Sequence, residues 1–175
     1  MADIFVSFIH EEEDAASELE RFVRDVFDNR VDSFMSSEGW IHAGDEWMRR
    51  VFDELDHAKV LISMLSPASV GRPWINFEAG AGWFGRKKVI PALFCGLSIS
   101  DLKQPLSSLQ AVELENYAGI SYLVSSIAFH LKIDPPNKPA FASTEVSLGN
   151  LNQNENERVL APYKRLRNSL KELRP

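Results

Sequence analysis

Short apolar runs of strand length alternate along this sequence with longer stretches in which apolar residues recur every three or four positions. Asp3–Ile9 reads as a buried strand at the N-terminus. Ala15, Ala16, Leu19, Phe22, Val23, Val26 and Phe27 then recur at helical spacing, with Glu12, Asp14, Glu18, Arg21 and Asp25 assigned to the water side. Val31–Met35 is a weaker strand, and Ser36–Gly44, with two glycines and no period, reads as a loop. A second helix is expected from about Asp45, with Met48, Val51, Phe52 and Leu55 as its buried stripe. Lys59–Leu65 and Val89–Phe94 are further strands, separated by a helix from about Trp74 to Phe84 that Pro73 opens. Leu102–Leu109 reads as a short helical connection. Ala111–Leu114 is a fifth strand, and Gly119–Leu131 a last helix carrying Ile120, Leu123, Val124, Ile127 and Leu131 on one face.

Five strands alternating with helices imply an α/β fold, a parallel sheet covered on both faces. Right-handed crossovers leave few topologies. The flavodoxin-like three-layer arrangement, strand order 2-1-3-4-5, suits this length. It opens a crevice at the carboxyl ends of strands 1 and 3, where the order reverses. Ser7, Phe8, Ile9 and His10 follow strand 1, and Ser66 to Trp74 follow strand 3.

The regular pattern stops at Asp134-Pro135-Pro136. The chain therefore divides into a domain over 1–134, a linker or mobile loop over 135–156, and a C-terminal amphipathic helix over 157–175. In that helix Val159, Tyr163, Leu166, Leu170 and Leu173 form a narrow apolar seam. No run reaches the roughly 18–20 apolar residues that span a bilayer. The N-terminus lacks the basic region of a signal peptide, and a cytoplasmic location is expected. The one cysteine, Cys95, excludes a disulfide framework and reads as a buried small hydrophobe.

The net charge of −6 argues against a nucleic-acid binder. Residues 1–58 carry 16 acidic and 5 basic residues, so the acidity belongs to the first third. The four histidines, His10, His42, His57 and His130, form no ligand pair at helical spacing, and no metal site is expected.

Familiar chemistries of such crevices are missing. There is no Gly-x-Gly-x-x-Gly turn after strand 1, no phosphate loop, no aspartate ending strand 3 and no nucleophile elbow. A carboxylate remains. Glu78 stands four residues after Trp74, which stacks the two on one helix face. Its neighbours are otherwise apolar or small, and a lone carboxylate buried there is costly without a partner or a task. The same residue also suits a surface acid favoured by the helix dipole, and spacing does not choose between these. Ala79, Gly80, Ala81 and Gly82 read as close helix packing.

Taken together, these residues resemble a family. Over about Asp3–Leu131 the chain is similar to the Toll/interleukin-1 receptor (TIR) domain in its bacterial form. Asp3-Ile4-Phe5-Val6-Ser7-Phe8 resembles its first box. Ala43-Gly44 resembles the end of its BB loop, and Leu61–Pro67 its third strand and exit. Trp74-x-x-x-Glu78 matches the signature of TIR domains that cleave NAD.

The resemblance implies an NAD glycohydrolase or cyclase. Such an enzyme breaks the nicotinamide–ribose bond and releases ADP-ribose or a cyclic ADP-ribose signal, in the setting of antiphage defence. Nicotinamide leaves neutral and needs no general acid, and the ribosyl group passes through an oxocarbenium-like state. Glu78 is then the catalytic residue, holding ribose hydroxyls and stabilising positive charge. Ser7, Phe8, His10, Phe34, Trp40 and Trp74 are the expected substrate-binding residues, the aromatic ones flanking the rings of NAD. NAD is substrate rather than cofactor, and no cofactor is expected. Self-association through TIR–TIR contacts and an effector that senses a cyclic product are the implied partners. Some relatives carry basic residues after strand 1, where this chain has His10-Glu11-Glu12-Glu13-Asp14. Two alternatives stand beside this reading. One is a non-catalytic TIR adaptor acting through the Gly39–Asp45 loop. The other is an enzyme like the nucleoside deoxyribosyltransferases.

Overall fold

Strands buried on both faces must be largely apolar, and the first and third runs are so but for Ser7 and Ser63. Ile4–Ile9 (β1) and Val60–Leu65 (β3) are buried at every position. In the computed structural model, which describes residues 1–38 and 45–135 together with Asn168 and Lys171, they lie side by side. The helix α1 (Glu13–Val26) follows β1 and leads to β2 (Ser33–Glu38), and α2 (Asp45–His57) then leads to β3. Beyond β3 come α3 (Pro73–Phe84), β4 (Lys88–Leu93), β5 (Val112–Glu113) and α4 (Tyr117–Leu131). The five strands form one sheet in the order β2-β1-β3-β4-β5, with every pairing parallel. This is the expected α/β topology.

Alternation along the strands divides the core into two. Ile4, Val6 and Phe8 of β1 join Val60, Ile62 and Met64 of β3 under α1 and α4. Phe5 and Ile9 join Leu61 and Leu65 under α2 and α3. The helical stripes read from the sequence for α1 and α4 are buried as expected.

Two glycines fix how closely helices approach the sheet. A Cβ at Gly119, in the first turn of α4, would stand 1.7 Å from the backbone oxygen of Glu113. A Cβ at Gly82 would stand 2.8 Å from Leu61 Cδ1. Gly82 thus seats α3 against β3, whereas Gly80 faces open space and has no packing role of this kind.

Several expectations need correction. The strand expected to end at Met35 runs from Ser33 to Glu38, so the expected loop gives up Ser36–Glu38 to β2. Those residues are polar, but their backbone pairs with Ser7–Ile9 of β1. Phe52 is 41% exposed rather than buried, lying at the border of its helical stripe and edge-on to Phe77 at 6.2 Å. Leu102–Leu109 holds one short 3-10 turn, Leu106–Ser108. Glu12 is fully buried instead of facing water. It precedes α1, within a 3-10 turn over His10–Glu12, where an α-helical wheel misplaces side chains.

Trp40, the rest of the 39–44 loop, the linker and most of the expected C-terminal helix lie outside the described residues. Among the described residues, no helix is long and apolar enough to cross a membrane.

Candidate functional site

One row of the sheet breaks the apolar rule. Ser7 of β1 is in register with Ser36 of β2 on one side and with Ser63 of β3 on the other. Ser7 lies between Phe5 and Ile9 along β1, so the row faces α2 and α3. All three serines are fully buried. Hydroxyls in such a place need partners, because an unpaired buried polar group costs about 1–3 kcal/mol.

Glu78 supplies them. It is fully buried on the inner face of α3, above this row. The Ser36 hydroxyl donates to its Oε1 at 2.6 Å. The Ser7 hydroxyl donates to its Oε2. The α3 axis reaches the serines because Gly82, four residues later on the same face, lets the helix sit low on Leu61. Glu78 is the sixth residue of α3, beyond the first turn where the helix dipole acts. The amides of the first turn therefore do not account for its place, and its burial removes the surface-acid alternative.

Two polar atoms on the elements that carry this cluster are left over. Ser63 Oγ and Trp74 Nε1 are buried with no hydrogen-bond partner among the described residues. Trp74 is half-buried against the same core and stacks on Phe77 at 5.5 Å between ring centroids. Phe34 packs on the same side, 5.5 Å from Phe5, with the Arg50 guanidinium of α2 5.6 Å from its ring centroid.

The structure thus gathers Ser7, Phe34 and Trp74 with Glu78 on one face. It places Phe8 elsewhere: its ring is buried in the core under α1 and α4. His10 is exposed and lies 3.3 Å from Glu13. Ser36, Ser63 and Arg50 were not among the expected site residues. For Ser36 and Ser63 a signal existed, the alternation Phe34–Ser36 and Leu61–Ser63, which sets each serine on the same face as an apolar neighbour.

A second carboxylate lies on the other side of the sheet. Glu12 Oε1 accepts from the hydroxyl of Ser66, the residue after β3, while Oε2 has no hydrogen-bond partner. Burial pushes the Glu12 carboxyl above its ordinary value, against the lowering pull of Ser66, Ser69 and the Ile9 backbone. Ser66 is itself tied into the turn: its amide donates to Ser69 Oγ at 2.8 Å, and its hydroxyl accepts from the Ala68 amide at 3.0 Å. Cys95 is nearby, its thiol pushed up to about 12 by burial and by the charges of Glu12 and Glu115, which makes it a poor nucleophile. The acidic run after β1 is partly compensated at its surface, since Glu11 accepts from Arg72 at 3.1 Å. Among the described residues, no group of three or more His, Cys, Asp or Glu side chains could hold a metal ion.

The family model described as TIR domain matches residues 4–123. Among solved structures the chain is similar to a metazoan TIR-STING receptor from C. gigas. The TM-score is 0.54 at 20% identity, over 80% of this chain and 43% of that one. The same receptor in complex with 2',3'-cGAMP gives 0.53 at 20% identity, over 73% and 39%. The chain thus spans about two fifths of the length of these structures, and at this identity the likeness concerns the fold. No curated protein sequence matches the chain.

Proposed function

The chain belongs to the TIR-domain family, and from that premise we propose that it cleaves the nicotinamide–ribose bond of NAD with Glu78 as its catalytic carboxylate. One observation carries the reading. A fully buried glutamate is held on the sheet by serine hydroxyls, and the Ser63 hydroxyl in register with Ser7 and the Trp74 indole N–H one turn earlier on α3 lack hydrogen-bond partners.

The chemistry follows from that environment. A carboxylate that accepts from two serine hydroxyls is already shaped to accept from two hydroxyls of a ribose. A carboxylate oxygen accepts more than one hydrogen bond, so ribose hydroxyls can join Ser7 and Ser36 at Glu78 while the serines hold it in place. The C1′–N bond then breaks, and its electron pair leaves with nicotinamide, which becomes neutral. Positive charge appears on the ribosyl carbon and ring oxygen beside a carboxylate in low dielectric, where Coulomb attraction is strong. Water capturing C1′ gives ADP-ribose and a proton. An adenine nitrogen capturing it gives a cyclic product. Trp74 and Phe34 offer ring faces, and Arg50 offers a cation for the diphosphate that the acidic segment after β1 does not supply. On this reading the loss of NAD or a cyclic signal to an effector serves antiphage defence, and self-association completes the site.

A second reading has an observation of its own. A buried glutamate clamped by two serines also fastens α3 to β1 and β2, which is all that a non-catalytic adaptor needs of it. Incubation of the concentrated full chain with NAD, and separately with deoxynucleosides, followed by chromatography, separates the readings. Nicotinamide release that disappears in Glu78→Ala supports catalysis. A folded chain that leaves NAD intact while forming a TIR-dependent complex supports the adaptor. Base exchange between deoxynucleosides would point to the transferase chemistry.

A further inference from the structure

At the opposite end of the sheet, where β4 begins, a cavity of about 470 Å³ opens between the end of α3, the β4–β5 edge and α4. Its size lies in the range of small-molecule sites. Its lining contains Arg86, Lys87 and Lys88 and no carboxylate, in a chain whose net charge is −6. Lys87 is engaged, for its Nζ donates to the backbone carbonyl of Asp56 and lies 3.9 Å from Asp56 Oδ1. Arg86 and Lys88 have no carboxylate partner among the described residues, so two like charges stand together uncompensated.

The rest of the lining is equally selective. Trp83 and Tyr122 leave 67% and 49% of their surface exposed at this cavity. His130 also lines it. Burial and the charge of Lys88 hold the His130 imidazole below its ordinary value. Cationic side chains pair with anionic oxygens, the arginine fork with phosphate above all. Exposed indole and phenol rings favour a planar partner.

We propose that this Arg86–Lys88–Trp83–Tyr122 cavity is a binding site for a phosphorylated nucleoside, the phosphate on Arg86 and Lys88 and the base on the aromatic rings. It is separate from the Glu78 cluster and does not depend on NAD cleavage.

The test is a titration of isotope-labelled full chain with AMP, adenosine and inorganic phosphate, followed by amide NMR. AMP is expected to bind with a Kd below about 1 mM and to move amides of Arg86–Ile90 and Tyr122–His130. Adenosine and phosphate are each expected to bind at least about tenfold more weakly, since each offers half of the recognition. Arg86→Glu with Lys88→Glu should weaken AMP about tenfold or more, and Trp83→Ala should weaken it several-fold; all three residues are exposed enough to leave the core untouched. No movement of those amides, equal binding of phosphate and AMP, or undiminished binding in the double variant would each overturn the proposal.

Discussion

Glu78 and Glu12 are both fully buried toward the carboxyl ends of the strands, on opposite faces of one sheet. Each meets serine hydroxyls, yet the two environments differ. Glu78 has a serine on each oxygen, one from β1 and one from β2. Glu12 has one oxygen held by Ser66 and the other unpartnered, and burial raises its carboxyl. It ties the start of α1 to the turn that leads into α3. Burial alone therefore does not mark a functional carboxylate. What separates them is how each is held: Glu78 has a serine on each oxygen, whereas Glu12 has one oxygen left over.

If that difference is functional, substitutions on the two sides should part company in activity. Ser7→Ala or Ser36→Ala should lower kcat/KM for NAD at least about tenfold, the loss of ~1.4 kcal/mol of transition-state stabilisation. Ser66→Ala should leave the turnover per folded molecule within about twofold, because it lies on the face without the site. Equal losses on both faces would erase the distinction.

Arg50 gives a finer probe of the Glu78 side. Arg50→Ala should raise KM for NAD by about tenfold with little change in kcat, as expected of a group that binds ground and transition states alike. A fall in kcat alone would move Arg50 out of the binding role.

Stability tests the packing that brings Glu78 to its serines. Gly82→Ala places a methyl against Leu61 and should cost about 1–3 kcal/mol in denaturant unfolding. An unchanged midpoint would mean that α3 does not depend on that close approach.

The smallest effect concerns Glu12. Its folded carboxyl keeps its proton to higher pH than the unfolded one, so the folded state is favoured at low pH. That advantage is lost as pH rises from 4.5 through the raised value. Glu12→Gln keeps an acceptor for Ser66 and removes the titration. Its Tm should fall less than that of the parent chain as pH rises from 4.5 toward neutrality. Parallel Tm–pH curves would show that Glu12 does not carry this dependence.

The fold was legible because period and burial agree wherever an element is covered on a full face. The stripes of α1 and α4 and the runs of β1 and β3 are such cases. Legibility failed where that agreement ends. β2 is an edge strand whose last residues, Ser36-Ser37-Glu38, are polar and so resemble a loop, although their backbone pairs with β1. Glu12 sits in a 3-10 turn outside the wheel that assigned it to water. The pairing of Trp74 and Glu78 in the candidate site was legible because helical spacing sets both on one face of α3. Alternation set Ser36 and Ser63 facing inward, but their meeting with Ser7 depends on register between strands, which a sequence does not print. Phe8 looked equivalent to Ser7, yet one step along a strand reverses the face.

The most direct measurement of the central claim is nicotinamide release from NAD by the full chain at high concentration, beside its Glu78→Gln variant. Gln keeps the shape and an acceptor but not the charge. The account predicts release by the parent chain and a loss of about 10²-fold or more in the variant, with the fold preserved by circular dichroism. Equal release by both would contradict the role of Glu78, and no release by either would contradict the activity itself.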